Sequence, residues 1–428
     1  MTTFAFVVTV CLVLWAMARV SLVNQFVAFL RPPFSTWEDL PLPKVSVILC
    51  LRGNDPFLSP CLEALLQQNY PHYELQIVVD SRQDPAWEIL MQTLDSHPPS
   101  NPATIVQVHS LEVKFTTCSL KCQSLIQVIS QLHADIEAIV ILDTDIIPYP
   151  NLLNDLVKPL GQTRLGRPIG ATTGYRWYLP EHRQWGAWVR HVWNAMSVVQ
   201  MALLPPVFPW GGCCAISIKA LQQANLLQCW QQSLSEDTLM DAAFKTHGIQ
   251  VHPVPWMMML NREDTSLRNF FPWVQRQLLM PKLYGDCWQW MMKGTVMNLT
   301  LQLLAIVGFI VSVGIQQWTA ALCFSGGLIG YGFILLWLFI QMEEAVRQVV
   351  RHQGEELPPL SEKAIAQLAL VILPTQWIVG IAMFFTYRVK KIQWRGITYC
   401  LNNSSDISFE YQPYQNPGSL PHSQTSMF

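Results

Sequence analysis

AIVILDTD, residues 138–145, sets five apolar residues ahead of two aspartates separated by one threonine. The run is short, uninterrupted and rich in β-branched residues, as a strand buried on both faces would be. Asp143 and Asp145 then stand just beyond its carboxyl end. Working outward, VSVILCL (45–51), bounded by Pro43 and Gly53, has the same character, LQIVV (75–79) ends at Asp80, and 104–109 is a further β-rich run. Between these runs, helical spacing predicts helices over 60–68, 85–94 and 120–132. Strands alternating with helices at this spacing indicate an α/β domain with a mostly parallel, Rossmann-like sheet, in which ligands bind beyond the carboxyl ends of the strands. Asp80 and Asp143 both occupy such ends.

The rest of the chain is far less polar. Of the 428 residues, 51% are apolar and only 13% charged, against roughly 25% charged in a soluble domain. The deficit is concentrated near the N-terminus and in 291–387. A net charge of −2 argues against a nucleic-acid partner, which normally meets a basic surface. The eleven cysteines include no C-x-x-C pair and no zinc-ligand spacing, and are expected to be reduced and mostly buried.

Residues 4–18 form an uncharged run with no Lys or Arg before it, while Arg19, Arg31 and Lys44 follow. By the positive-inside rule this is a signal anchor with the following domain in the cytoplasm. Residues 296–314 and 318–341 are each long enough to span a core of about 30 Å, and the three residues between them predict a tight hairpin. Residues 343–363 carry Arg347, Arg351 and several glutamates, and read as an amphipathic segment on the cytoplasmic surface. Residues 365–387 are apolar but contain Pro374, and Arg388, Lys390 and Lys391 follow. A crossing would leave that basic cluster outside, so a re-entrant hairpin bent at Pro374 is the expectation. The domains are then a signal anchor (1–31), a catalytic α/β domain (40–290), a transmembrane hairpin (291–341), an amphipathic segment (342–363), a re-entrant or transmembrane segment (364–400) and a disordered tail (401–428).

Two carboxylates one residue apart are costly to hold together unless a cation neutralises them, and hard oxygen ligands suit Mg²⁺ or Mn²⁺ shared with substrate phosphates. A solvated turn is the alternative for Asp143-Thr144-Asp145; its place at a strand end favours the metal. Ser235-Glu236-Asp237 opens a helical stretch, where the acids could cap the helix or supply a general base for an acceptor hydroxyl.

The motifs VSVILCLRGNDP (45–56), LLQQNYPHYELQIVVDSRQDP (65–85), LKCQSL (120–125), ILDTDIIPYP (141–150), GATTGYRW (170–177), PWGGCCAIS (209–217), SEDTLMDAAFKTHG (235–248) and IQWRGITY (392–399) follow one another in a recognisable order. The ordered set resembles the inverting family-two glycosyltransferases with a GT-A fold, within them the ceramide glucosyltransferase-like branch. The resemblance implies that Asp80 recognises uracil, that Lys121 lies near the nucleotide, and that Asp143 and Asp145 hold the metal on a UDP diphosphate. It further implies Asp237 as catalytic base with Glu236 in support. Gly211 and Gly212 would admit the sugar, Trp210 would pack under the sugar or be buried in the core, and Trp394 and Arg395 would line the sugar and acceptor pocket. Two positions depart from the family pattern. Ser124 replaces an asparagine, and Gln277 stands where a Gln/Arg-x-x-Arg-Trp motif has its tryptophan. Arg276 of that motif would contact either the diphosphate or lipid headgroups.

The expected activity is transfer of a hexose, glucose first among the candidates, from a UDP-sugar to a membrane-lipid hydroxyl by an integral, multi-pass protein. The lipid bilayer is then its partner as well as its location; oligomeric state is not legible. A polysaccharide synthase of the same family is the second enzyme reading, disfavoured by Gln277 and the small number of crossings. An inactive membrane scaffold is the reading from another class. A transporter is disfavoured because 296–314 and 318–340 hold no Asp, Glu, His, Lys or Arg.

Overall fold

The computed structural model describes residues 1–31, 41–102, 104–180, 184–204 and 207–414. The chain opens with α1 (Thr2–Phe29), followed by β1 (Val45–Leu51), α2 (Leu58–Leu66), β2 (Tyr73–Val79), α3 (Pro85–Ser96), β3 (Ile105–Ser110), α4 (Leu120–Ile129) and β4 (Ala138–Leu142). Then come α5 (Leu152–Val157), β5 (Thr163–Arg164), β6 (Arg167–Tyr178), α6 (Trp185–Leu203), β7 (Cys213–Ser217), α7 (Ile218–Gln223), α8 (Leu226–Trp230), α9 (Met240–Lys245) and β8 (Gln250–Asn261). The C-terminal part holds α10 (Leu267–Tyr284), α11 (Trp288–Gly314), α12 (Trp318–His352), α13 (Glu362–Thr386), β9 (Lys391–Trp394), β10 (Ile397–Leu401) and β11 (Ile407–Phe409).

The main sheet runs β3-β2-β1-β4-β7-β6-β5, with β8 beside β6. Its first four strands are parallel, as the alternating pattern predicts. β7 then enters antiparallel to β4, pairing Leu142 with Cys213, so the Gly211-Gly212 turn lies directly beside Asp143. This is the mostly parallel α/β sheet that the sequence predicts, closed by antiparallel β7. The two-residue period of β1 divides its side chains: Val47 and Leu49 enter a core with α2 and α6, while Ile48 enters another with α4 and α8. Burying each such side chain stabilises by about 1.5–3 kcal/mol. All eleven cysteines are free, and Cys61, Cys118, Cys122, Cys213 and Cys214 are buried.

Among the described residues four helices, α1, α11, α12 and α13, are long and apolar enough to cross a membrane. A polar cluster ties them together. The Tyr331 hydroxyl (2.7 Å) and the Trp15 indole (3.0 Å) both donate to Asn298 Oδ1, and Gln302 donates to Gln376 at 2.9 Å. The apolar middles of α11 and α12 therefore hold polar groups that satisfy one another, as a low-dielectric setting demands.

Three expectations are corrected here. Residues 343–352 do not lie free on the surface: they prolong α12 against the α/β domain, where buried Glu343 accepts from the Trp177 indole at 2.8 Å and meets His191 at 3.0 Å and Arg347 at 3.3 Å. A charge count marks such residues as surface; three partners make their burial tolerable.

The hairpin bent at Pro374 is instead one continuous helix, α13. Both of its flanks nevertheless meet the α/β domain and α10. Before it, Gln353 donates to the Trp256 carbonyl at 2.7 Å; at its end, Lys282 of α10 donates to the carbonyls of Thr386 (2.9 Å) and Tyr387 (2.8 Å).

The tail is not disordered from residue 401. β9, β10 and β11 form a second small sheet that buries Ile397, Ile407 and Phe409 against Leu120 and Leu279. The chain is described through Tyr414, and the expected disorder over 415–428 lies outside the described residues.

Candidate active site

β1, β2, β4 and β7 deliver their ends to one cavity of about 1660 Å³, larger than the 300–1,000 Å³ typical of a single small-ligand pocket. Asp80, Asp143, Asp145, Asp237, Arg276 and Arg395 all line it. It reaches from the end of β1 to Trp290 and Met291 at the start of α11.

Lys121 is the electrostatic centre. Ser119 caps α4 by accepting from the Cys122 N–H, which places Lys121 in the first turn, aimed at the acids. Its Nζ lies 2.7 Å from Asp143 Oδ1, 2.7 Å from Glu236 Oε1, and 3.0 Å from the Gly211 carbonyl. Burial alone would lower the lysine's pKa, but the charges of Asp143 and Glu236 outweigh it and hold the ammonium well above its usual range. Burial likewise opposes the charge on Asp143, yet Lys121 and then Arg176 bring that carboxyl below the ordinary range. Glu236 goes the other way, because burial outweighs Lys121 and Asp237 adds repulsion.

Asp145 is held by residues that carried no assignment in the sequence. Arg176 of β6 pairs with its Oδ2 at 2.5 Å, and the Asn261 amide donates to the same oxygen at 2.9 Å. Its other oxygen, Oδ1, is buried without a partner. Burial foremost, with repulsion from Asp143 and Asp55, raises its pKa despite Arg176. An orphaned, buried carboxylate oxygen beside a second carboxylate fits a hard divalent cation. Among the described residues no group of three or more His, Cys, Asp and Glu side chains is arranged to hold a metal. A cation held by this aspartate pair would thus take its further oxygens from water or a bound phosphate.

Glu236 and Asp237 do not cap a helix, since α9 starts at Met240 with Leu239 before it. The two acids divide instead. Both line the cavity, but Glu236 is buried and paired with Lys121, whereas Asp237 is half-buried and free of that pairing. The Gly211 N–H donates to Asp237 Oδ2 at 2.8 Å, and the Thr238 and Ser235 hydroxyls donate to Oδ1. Gly211 is required by the acids themselves, because a Cβ there would collide with the Glu236 carboxylate. At Gly212 a Cβ would strike the Trp210 ring and lie 2.6 Å from Asp143 Oδ2. Trp210 lines the cavity while also belonging to the core, its ring 5.0 Å from the Arg176 guanidinium.

Arginines gather at the opposite wall. Arg276 of α10 sits over the Trp394 ring at 4.6 Å, and Arg395 donates to Asp55 at 3.2 Å. Burial, with repulsion from Arg176 and Arg395, pushes Arg276 down to about 10. Its aromatic partner is thus Trp394 of the β9–β10 hairpin, with Gln277 lining the cavity one position further on. Ser124, where an asparagine was expected, bonds back to the Leu120 carbonyl at 2.9 Å and also lines the cavity. Asp80 lies at the far end in an ion pair with Arg52. The GATTGYRW and LRGN motifs contained Arg176 and Arg52, but only the fold reveals which acids they meet.

The chain is similar to a ceramide glucosyltransferase of Pyricularia oryzae, 32% identical over 91 residues, 19% of this chain and 18% of that protein. It is also similar to one of Candida albicans, 27% identical over 135 residues, 29% of this chain and 24% of that protein. The matched stretches therefore span a quarter or less of those relatives. Among solved structures, a mannosyltransferase from Pyrobaculum calidifontis in complex with GDP-Man and Mn²⁺ aligns over 90% of this chain and 97% of its own, at 14% identity and TM-score 0.43. A glucosyl-3-phosphoglycerate synthase from Mycobacterium tuberculosis in complex with UDP aligns over 59% and 85%, at 14% identity and TM-score 0.37. The model of glycosyl transferase family 21 matches residues 7–407, a span that includes every acid of the site, and the chain belongs to that family, the ceramide glucosyltransferase family.

Proposed function

We propose that this protein transfers a hexose, with inversion, from a UDP-sugar to the hydroxyl of a membrane lipid at the cytoplasmic face. The observation that carries this is the continuity of the cavity: one space is lined both by Asp143, Asp145 and Asp237 and by Trp290, 60% exposed, on a helix apolar enough to enter a membrane. The two similar fungal proteins bear the name ceramide glucosyltransferase, which makes ceramide the first acceptor and glucose the first sugar to test.

Asp80 would meet the uracil, and Arg276 and Arg395 would face the diphosphate, their mutual repulsion relieved by the anion. A divalent ion, Mg²⁺ or Mn²⁺, held by Asp143 and Asp145 would offset the charge that builds on the leaving diphosphate. Lys121 keeps Asp143 ionised for that role and keeps Glu236 paired. Asp237 would take the proton from the acceptor hydroxyl, and the oxygen would attack the anomeric carbon on the face opposite the departing UDP. One displacement inverts the configuration.

Purified protein in detergent, given UDP-glucose, ceramide and Mn²⁺ or Mg²⁺, should release UDP and form a glycolipid, and Asp145→Ala should lower the rate at least a hundredfold. UDP release from no donor, or an Asp145→Ala variant as active as the wild type, would overturn the reading.

The topology that fits this site has three crossings, α1, α11 and α12, with α13 lying in the interface. Its length of about 37 Å at 1.5 Å per residue, with both flanks tied to the catalytic domain, supports that placement. So does its outer face, where Leu370, Ile381, Phe384 and Phe385 are exposed. It also keeps Arg388, Lys390 and Lys391 on the cytoplasmic side. Exposed Cys229 is a built-in reference for the catalytic side in sealed vesicles. Glu362→Cys and Tyr387→Cys should react with an impermeant maleimide from the same side as Cys229, and Gln317→Cys from the other. Reaction of positions 362 and 387 from opposite sides would make α13 a fourth crossing.

A further inference from the structure

Asp80 is 2% exposed, and both of its carboxylate oxygens are engaged by the chain itself. Arg52 forms an ion pair with Oδ1, the Tyr414 backbone N–H donates to Oδ2 at 3.0 Å, and the Tyr411 hydroxyl donates to that oxygen at 3.3 Å. Arg52 also donates to the Gln412 carbonyl at 2.8 Å, so the side chain that braces Asp80 grips the same segment. The Tyr414 ring lies against the backbone of Gly53, where a Cβ would come within 2.6 Å of the ring. Gly53 has a φ of +80° and its N–H donates to Asp84 at 2.9 Å, which fixes the turn that leaves the ring its place.

A uracil base has two recognisable features: a planar ring and an imide N–H that donates to a carboxylate. Tyr414 brings both a planar ring and an N–H to Asp80, at the end of β2 where a sheet of this type receives its nucleotide. We propose that residues 411–414 occupy the nucleobase site as a tethered competitor, which the base of the donor must displace. The inference rests on the reading of Asp80 as the carboxylate that meets the base.

The segment is built to leave. β11 ends at Phe409, Gln412 and Pro413 are exposed, and the four residues are held by the Tyr414 N–H and Tyr411 hydroxyl on Asp80, the Arg52 guanidinium on the Gln412 carbonyl, the Tyr414 ring against Gly53 and the packing of Tyr411 on the small-sheet core. Arg52 would keep its place, because it also donates to the Arg395 carbonyl at 2.7 Å. Burial and the Asp80 charge push the Tyr411 hydroxyl up to about 12, so it remains a donor at neutral pH. Nucleotide binding is then a shift between a closed and an open pocket, and the apparent affinity falls in proportion to the open fraction.

The test is a calorimetric titration of UDP into the full-length protein in detergent with Mg²⁺. Tyr414→Pro removes the N–H and the ring, and Tyr414→Ala the ring alone. Both should bind UDP more tightly than the wild type, by about three- to tenfold if the pocket is open roughly a tenth to a third of the time, with Pro at least equal to Ala. UDP should also speed chymotrypsin cleavage after Tyr411 in the wild type. Tyr414→Pro binding UDP no more tightly than the wild type overturns the proposal. Asp80→Asn separates the two possible failures. If it weakens UDP binding while Tyr414→Pro gives no gain, only the tethered competitor falls. If it leaves UDP affinity unchanged in the Tyr414→Pro background, or if no variant binds UDP, the base-site reading falls and takes the competitor with it.

Discussion

Asp237→Asn should lower turnover by about a thousandfold, within the 10²–10⁴ range for removing a positioned general base, while leaving UDP affinity within about twofold. The substitution is nearly isosteric. Its amide oxygen can still accept from the Gly211 N–H that now holds Oδ2 at 2.8 Å, so the Gly211-Gly212 turn and the adjoining Asp143 keep their places. What the amide loses is the capacity to take a proton. Both acids line the cavity, but Glu236 is committed to Lys121 at 2.7 Å. Glu236→Gln should therefore disturb Lys121 and the metal end of the site before it disturbs proton transfer. Steady-state turnover measured beside UDP titration checks both variants. A loss below tenfold for Asp237→Asn, with a larger one for Glu236→Gln at unchanged nucleotide affinity, would reverse the roles of the two acids.

The acids could be found in the sequence because each follows a local signal. Asp80 and Asp143 end uninterrupted apolar runs, and such runs predict strands whose carboxyl ends face ligands. β4 follows its expected bounds to the residue. Their counter-charges carry no comparable signal. Arg176 is one arginine within a β-rich run, and only the pairing of β6 with β7 and of β7 with β4 carries it to Asp145. Asn261 reaches the same aspartate because β8 pairs with β6 at Tyr178.

The membrane half was legible as composition and misread in detail. Pro374 predicts a break, but its exposed position lets the helix continue, since the lost N–H bond can be made good by neighbouring groups in an apolar setting. Glu343 looked like surface because nothing local announces its partners, Trp177 and His191, more than 150 positions away in the chain. The tail looked disordered because Asn402-Asn403-Ser404-Ser405 is polar; that stretch is the turn between β10 and β11, and Tyr399 and Phe409, with ring centroids 5.1 Å apart, close it.

Lys121→Met should destabilise the folded protein by about 3–5 kcal/mol, the magnitude found when one partner of a buried ion pair is removed, and lower its melting temperature on the order of 10 °C. Methionine nearly matches the lysine stem in length, so packing against α4 and β1 survives and the loss is electrostatic. Asp143 and Glu236 would face each other and Asp145 across a buried space with Arg176 as the nearest remaining cation. They must then take up protons or separate. Both consequences can be measured, and both depend on whether the aspartates hold a metal. If they do, Mn²⁺ supplies the missing charge, and the variant's melting temperature should rise with Mn²⁺ several degrees more than the wild type's, while Asp143→Asn combined with Lys121→Met should lose that extra rise. Lys121→Arg keeps the charge but cannot place one compact donor between two carboxylates 2.7 Å away on either side, so it should fall between methionine and the wild type. A Lys121→Met protein as stable as the wild type without metal would mean that Arg176 alone neutralises the acid set. The lysine's place would then be with the nucleotide, as the family resemblance first implied.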